Sequence, residues 1–424
     1  MHLTKQQFFI IIGVVAIILI VILALTVGRK TPQPQAATLT FWGVGDDGKI
    51  LQPVFDLYQQ SHPEVTIEYT EFDESNYENS LINAFASNKG PDIFMFHRSW
   101  LPKHKDKIFA LSKTKIPLTK FQQLFPDVAA EDFSDGENVY ALPIYIDTLS
   151  LIYNKDIFNS SAVAMPPKTW DEFKILIPKI RKIDNRTGAI LRAAGAIGGT
   201  QNSIHNASDI LDLIMMQFGV SFPKSAAEKV SLRDAEEALN FYTDFANASS
   251  LFYTWDDKFG DSLEVFSNGK TAIIFDYQSI IKNLKEKNPY LNIKSSPMLQ
   301  FDLDNPINYP NYWGLAISNK SRNPIAAQDF ILAFTTDEKI AEAYLKSSGH
   351  PPALRSLIAR YQNDPDLGIF TKQALSARSW YQIDYNFINQ TFSDMIESVI
   401  MNRSSIKDAL EIAQNKINSF SISQ

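Results

Sequence analysis

Between Leu39 and Phe96 the apolar pattern switches repeatedly between two periods, and this alternation restricts the fold more than any other feature of the chain. Leu39–Trp42 reads as a strand. After a turn, Leu51, Val54, Phe55 and Tyr58 share one helical face. Pro53 suits a first helical turn, so the regular helix is expected to begin near Ile50. Val65, Ile67 and Tyr69 then alternate as a strand. A second helix carries Tyr77, Leu81, Ala84 and Phe85 on one side and stops at Gly90. Ile93–Phe96 is a continuous apolar run, as in a strand buried on both faces. This β-α-β-α-β order predicts a mostly parallel sheet with helices on both faces.

The alternation recurs further along. Pro143–Tyr153 reads as a strand, and Thr169-Trp-Asp-Glu172 is a capping-box pattern that opens a helix over Glu172–Ile183. Leu263–Asn268 reads as a helix ended by Gly269, with a strand over Thr271–Phe275. Trp313–Ser318 is another strand, followed by a helix from Pro324 through Phe334. Ile406, Ala409, Leu410, Ala413 and Ile417 mark a closing amphipathic helix. With 424 residues and no repeat, two α/β lobes are the economical organisation.

Ahead of this soluble part, Phe8–Val27 carries no charge. About 20 residues at ~1.5 Å each match the ~30 Å of a bilayer's hydrocarbon core. A cleaved secretory leader has a shorter apolar region and a small-x-small cleavage site, which Gln35-Ala36-Ala37 matches poorly. The expectation is a cytoplasmic stub over 1–7, a transmembrane anchor over 8–27 and a proline-bearing linker over 28–37. Lys5 on one side and Arg29 with Lys30 on the other leave the orientation unset by charge.

Composition removes several function classes. A net charge of -7 argues against a general nucleic-acid binder, which needs a basic face for phosphates. With no cysteine, disulfides, thiolate catalysis and zinc-thiolate sites fall away, as does a lipid-bearing cysteine. The six histidines are scattered without H-E-x-x-H spacing, and Asp302-Leu-Asp304 reads as a polar loop, so no metal is expected. No nucleophile motif stands out, and no enzyme activity is expected.

Gly43-Val-Gly45-Asp-Asp-Gly48 is formally G-x-G-x-x-G between a strand and a helix. Asp46 and Asp47 would stand where a pyrophosphate belongs, and Pro53 disturbs the helix that should face it, so no nucleotide cofactor is expected. A carboxylate-bearing turn at a strand's C-terminal end suits polyhydroxyl ligands, because carboxylates accept what hydroxyls donate. A helix cap by Asp46 or Asp47 is the plainer alternative. Among 29 Phe, 16 Tyr and 6 Trp, the informative rings lie where strands end: Trp42, Phe96, Trp100, Tyr145, Tyr277, Trp313 and Trp380. A flat ring there can stack on the apolar face of a sugar.

Several of these stretches together resemble a known family. LTFWGVGDDGKILQPVFDLYQQSHP and GPDIFMF, within Leu39–Trp100, resemble the start of family 1 extracellular solute-binding proteins, the maltose-binding-protein-like group. YALPIYIDTLSLIYNKDIF with PPKTWDEF, VFSNGKTAIIFDY, and the segment from Asn311 to Tyr344 follow in the same order and spacing. The resemblance implies a two-lobed periplasmic-binding-protein-like fold of type II, with discontinuous lobes that close over a ligand. Lobe 1 is then expected over 38–145 plus 300–346, and lobe 2 over 147–298 plus 349–424. It also implies ligand contacts at Asp46 and Asp47 in the first loop, at Phe96 as a stacking ring, and at His97 and Arg98 behind it. Asp147 with Tyr145 falls just after the first crossing, Trp313 sits at the second, and Tyr277 and Gln278 follow the NGK strand. Maltodextrin binders carry a stacking Trp near Tyr277, and this chain has none there. Trp380 lies in a poorly matched stretch.

The function so implied is extracytoplasmic capture of a sugar, without chemistry, by a monomer that delivers it to an ABC permease whose ATP hydrolysis belongs to other subunits. A tethered sensor of the same fold and a tethered glycan-active hydrolase or lyase stay open as alternatives, the latter because acidic residues are numerous.

Overall fold

The computed structural model describes residues 36–423, apart from position 226, together with the isolated positions 13, 14, 17 and 18. Those four positions aside, the stretch read as a membrane anchor, the stub before it and the linker up to residue 35 lie outside the described residues. Among the described residues no helix is long and apolar enough to cross a membrane.

The first third of the fold runs β1 (Ala37–Val44), α1 (Gly48–Ser61), β2 (Val65–Phe72), α2 (Glu74–Ala86), β3 (Ile93–His97) and β4 (Ala141–Pro143). Then come β5 (Asp147–Thr148), β6 (Ser150–Asn154), α3 (Trp170–Ile180), α4 (Ala207–Gln217), β7 (Ile273–Asp276) and β8 (Ile293–Ser296). The last third holds β9 (Pro310–Asn311), β10 (Trp313–Ile317), α5 (Pro324–Thr336), α6 (Glu338–Ser348), α7 (Arg355–Tyr361), α8 (Gly368–Gln373), α9 (Tyr385–Ile400) and α10 (Ile406–Ser423). Further turns, short strands and helices, among them Glu236–Asp244 and Ile280–Lys287, lie between them.

Two sheets organise this order. The larger is β2-β1-β3-β10-β4, in which β1 is parallel to β2 and β3 while β10 is antiparallel to β3 and β4. The smaller, β7-β6-β8, is antiparallel throughout. The expected mostly parallel arrangement therefore describes β1–β3 and not the rest. An apolar run reports burial of both strand faces but not strand direction. Here β10 enters the first sheet only after the chain has visited the other lobe, and it runs against β3.

Two hydrophobic cores follow the sheets. One gathers residues from Leu39 to Ile146 and from Tyr312 to Ala377. The other gathers Leu149 to Tyr309 and Trp380 to Ile417. The chain thus passes between cores at 146–149, 309–312 and 377–380. The first two passages pair as the antiparallel ribbon β5–β9, with Asn311 opposite Asp147. The last passage lies later than the 346–349 anticipated, because Leu357, Ile358 and Ala374 pack on the first core. Likewise Met298, Leu299 and Tyr309 belong to the second core, so the stretch 300–309 leaves the expected first lobe.

Local chemistry explains the glycine-rich turn without a nucleotide. A Cβ on Gly43 would meet the Tyr69 hydroxyl at 2.5 Å, and Gly45 adopts φ +78. Asp47 caps α1, accepting from Lys49 N at 2.7 Å and Ile50 N at 3.0 Å. The helix consequently starts at Gly48, before the expected Ile50, and carries Pro53 inside it. The Thr169 cap read from the sequence is present, with Glu172 N donating to its hydroxyl at 3.1 Å.

Candidate functional site

β3, β4 and β7 end toward the ribbon of crossing strands, where β6 and β10 begin, and a buried polar cluster lies between the cores. β3 ends at His97, whose ring nitrogens lie 2.8 Å from Ser99 Oγ and 2.8 Å from Asn311 Oδ1 on the second crossing. Burial foremost, then the Arg98 charge, pushes the His97 pKa down to about 3, so the ring stays neutral.

Arg98 is 1% exposed and lies under the second lobe. Its Nη2 donates to the Tyr309 hydroxyl at 2.7 Å, and that hydroxyl donates to Asp212 Oδ2 at 2.9 Å. Asp212 also accepts from Trp380 Nε1 at 3.0 Å and Gln382 Nε2 at 3.3 Å. One turn earlier on α4, Asp209 accepts from the hydroxyls of Tyr277 and Tyr385. Burial first, and Asp209 next, raise the Asp212 carboxyl to about 8; burial likewise raises Asp209, against the pull of Arg98. Among the described residues, Nε and Nη1 of Arg98 have no hydrogen-bond partner. A buried guanidinium with two idle donors is ready for acceptor oxygens.

Nearer solvent, His205 Nδ1 lies 2.8 Å from Asp276 Oδ2, and Asn206 donates to the other oxygen at 2.9 Å. Burial lowers the His205 pKa, but Asp276 outweighs it and the net shift is upward. Glu74, exposed at the start of α2 on the first lobe, is close enough to feel the His205 charge.

The residues singled out from sequence divide into two groups. His97, Arg98, Tyr277 and Trp380 meet in or beside the cluster, and Trp313 packs against His97 with ring centroids 5.0 Å apart. Half-buried Trp42 stands at the end of β1 with its ring on Phe72. The others are held by the chain's own groups. Asp46 is 2% exposed; its carboxylate accepts from the Tyr344 hydroxyl and lies 3.6 Å from His350 Nε2. Tyr145 stacks on that His350 at 4.1 Å. Asp147 accepts the backbone N–H groups of Thr148, Gln278 and Ser279, tying the first crossing to the loop after β7. Burial raises its carboxyl to about 7, against those three donors and His350. Gln278 enters that loop through its backbone. Asp47 is a helix cap, and Phe96, wholly buried against Phe94, Trp100 and Phe133, is a core ring. Asp46, Asp47, Asp147 and Phe96, expected at the ligand, here meet donors or neighbours of this chain.

Residues 42–341 match the family described as bacterial extracellular solute-binding protein. The chain belongs to that family. Among curated relatives, this solute-binding protein is 23% identical over 328 residues to the maltotriose-binding protein of Pyrococcus abyssi, across 75% of this chain and 66% of the relative. That match falls just short of two thirds of the relative's length. The mannitol-binding protein of Pseudomonas aeruginosa is 22% identical, across 70% of this chain and 68% of its own. Among solved structures, the cyclic alpha-maltosyl-1,6-maltose binding protein of Arthrobacter globiformis superposes with a TM-score of 0.76 at 18% identity, covering 92% of this chain and 100% of that one. A solute-binding protein of Thermotoga lettingae solved with alpha-D-tagatose gives 0.70 at 20% identity, covering 91% and 99%. At these identities the structural likeness concerns the two-lobed fold.

Reading this solute-binding protein from sequence missed Asp209, Asp212, Tyr309, Gln382 and Tyr385. One signal was available. Asp209-Ile-Leu-Asp212 puts two carboxyls three residues apart in an otherwise apolar helix, and both are buried.

Proposed function

We propose that the chain captures a carbohydrate between its lobes and passes it to an ABC permease, performing no chemistry itself. The observation that carries this reading is Arg98, buried between the lobes with two idle donors beside carboxyls and tyrosine hydroxyls. A sugar hydroxyl accepts from a guanidinium and donates to a carboxylate at once, so it suits both halves of the cluster. The ligands named for the relatives, maltotriose and mannitol, are polyhydroxyl solutes of that kind. Contacts to both lobes favour the closed arrangement in proportion to the ligand's preference for it over the open one. His97, Arg98, Tyr277, Trp313 and Trp380 line this site in our reading, with Trp42 at its rim. The uncharged run 8–27 supports a membrane anchor, the family supports an extracytoplasmic place for the two lobes, and we read the protein as a monomer.

The test is thermal unfolding of the full chain with maltotriose, mannitol, tagatose, NADH or divalent metal ions. A ligand that binds only the folded form raises the melting temperature. One or more of the sugars and polyols should raise it, while NADH and metals leave it unchanged. Stabilisation by NADH, with no response to any sugar, would overturn the reading.

A further inference from the structure

Beside the Arg98 cluster, an ion-pair constellation joins the lobes without taking part in the proposed ligand site. Lys103 lies in the short helix Leu101–His104, just past the β3 turn. Its Nζ stands 2.9 Å from Glu78 Oε1 on the first lobe and 2.5 Å from Asp384 Oδ2 on the second. Both carboxylates are fixed by other bonds. Asp384 caps α9 by accepting Phe387 N at 3.0 Å, and Glu78 Oε1 also meets His104 Nε2 at 2.7 Å. The side chains are 32%, 19% and 14% exposed for Lys103, Glu78 and Asp384, so the trio is neither fully hydrated nor sealed.

Its placement matters more than its strength. Glu78 sits one turn beyond Glu74 on α2, and Asp384 immediately precedes Tyr385, whose hydroxyl meets Asp209 in the buried cluster. The lysine therefore ties together helices that face each other across the site. We propose that Lys103 is a positioning residue: by bridging Glu78 and Asp384 it holds the two lobes together before any ligand arrives, and so raises affinity for every ligand alike. This rests on the capture reading above. The apparent dissociation constant is the intrinsic one divided by the fraction of molecules in the competent arrangement. A bridge that never touches the ligand changes that fraction and leaves selectivity alone. A partly exposed bridge is also weakened by salt.

The chain has no cysteine, so paired spin labels can be placed cleanly. Asn83→Cys on the first lobe and Lys258→Cys on the second are exposed positions for them. Interlobe distances in the ligand-free full chain are measured by pulsed electron paramagnetic resonance in the otherwise native protein, in Lys103→Met, in Asp384→Asn and in the double variant. Met keeps the lysine's apolar stem, and Asn keeps the helix cap. Each single variant should shift molecules toward longer distances, and the double variant no further than either single one. High salt should reproduce the shift in the native protein. Maltotriose binding, measured alongside, should weaken about two- to fivefold in each variant. Unchanged distances in the ligand-free variants, or effects that simply add, overturn the proposal. Failure of maltotriose and the other sugars to bind the native protein counts against the capture reading, whereas the ligand-free distances decide the role of Lys103.

Discussion

The hydroxyl of Tyr309 accepts a hydrogen bond from Arg98 at 2.7 Å, and the guanidinium carbon lies 4.7 Å from the centroid of the same ring. Tyr309 immediately precedes the second crossing strand, so a side chain from the first lobe rests on the joint between the lobes. Cation–π contact in a desolvated setting contributes ~2 kcal/mol or more. Two unmet donors each cost roughly 1–3 kcal/mol. Together they cost about 2–6 kcal/mol, which the charges of nearby Asp132 and Asp209 offset along with the ring, so the guanidinium stays charged with donors free for an incoming acceptor.

Replacing Arg98 by Met should therefore affect both stability and binding. The melting temperature of the ligand-free protein should fall, because Asp132 and Asp209 lose the charge that faces them and the Tyr309 hydroxyl loses its donor. Binding of maltotriose, or of whichever sugar stabilises the native protein, should weaken at least about tenfold, the worth of one charge-assisted hydrogen bond. Calorimetric titration of both proteins measures this. Equal affinities would show that Arg98 does not face the ligand.

At Asp46 stability alone should change. Tyr344→Phe removes the hydroxyl that donates to this buried carboxylate and leaves it with His350 Nε2, 3.6 Å away, as its near polar neighbour. Stability should fall by about 1–3 kcal/mol in urea unfolding, the cost of an unmet buried acceptor. The rise in melting temperature on adding sugar should persist. Loss of that response at unchanged stability would return Asp46 to the ligand site.

How much of this was legible in the chain depends on the range of the interaction. Leu51, Val54, Phe55 and Tyr58 announced α1, and Thr169 announced the start of α3, because helical faces and caps are local. Two lobes were read from the alternation and the chain length, and their discontinuity from a resemblance carried by several ordered segments. Strand direction and the last crossing were not legible. The first depends on how β10 returns from the other lobe and the second on where Leu357 and Ile358 find a core, which no local pattern encodes. The first-loop acids are ambiguous for a related reason. A carboxylate at a strand end serves a helix cap, a tyrosine or a ligand equally well, and its partner Tyr344 lies far along the sequence. Asp209 and Asp212 were visible as acids in an apolar helix, but their meaning comes from Arg98, Tyr309 and Tyr385, brought in by three other segments.

The cap reading of Asp47 has a simple check. Asp47→Ala should cost about 1 kcal/mol, whereas Asp47→Asn should cost a few tenths, since Asn caps almost as well. Denaturant titration of the two variants gives both values. A large loss of sugar affinity in either one, at unchanged stability, would mean the carboxylate meets the ligand after all.

The buried acids also set a pH dependence, and its sign follows from linkage. An Asp in an unfolded chain titrates near 3.9, whereas Asp212 in the folded protein is raised to about 8, mainly by burial. Between those values the folded protein keeps a proton that the unfolded chain has released. Its stability therefore falls as pH rises through this window, by at most about 1.4 kcal/mol per pH unit from this group, and levels off above it. Asp147, raised to about 7, acts in the same direction over a narrower window. Asp212→Asn cannot ionise, so it should lose less stability than the native protein between pH 5 and pH 8, while Asp147 keeps its share of the slope. Urea unfolding of both proteins at the two pH values measures the difference. Identical pH slopes would mean that Asp212 is already ionised in the folded state, held by Arg98 across the Tyr309 hydroxyl.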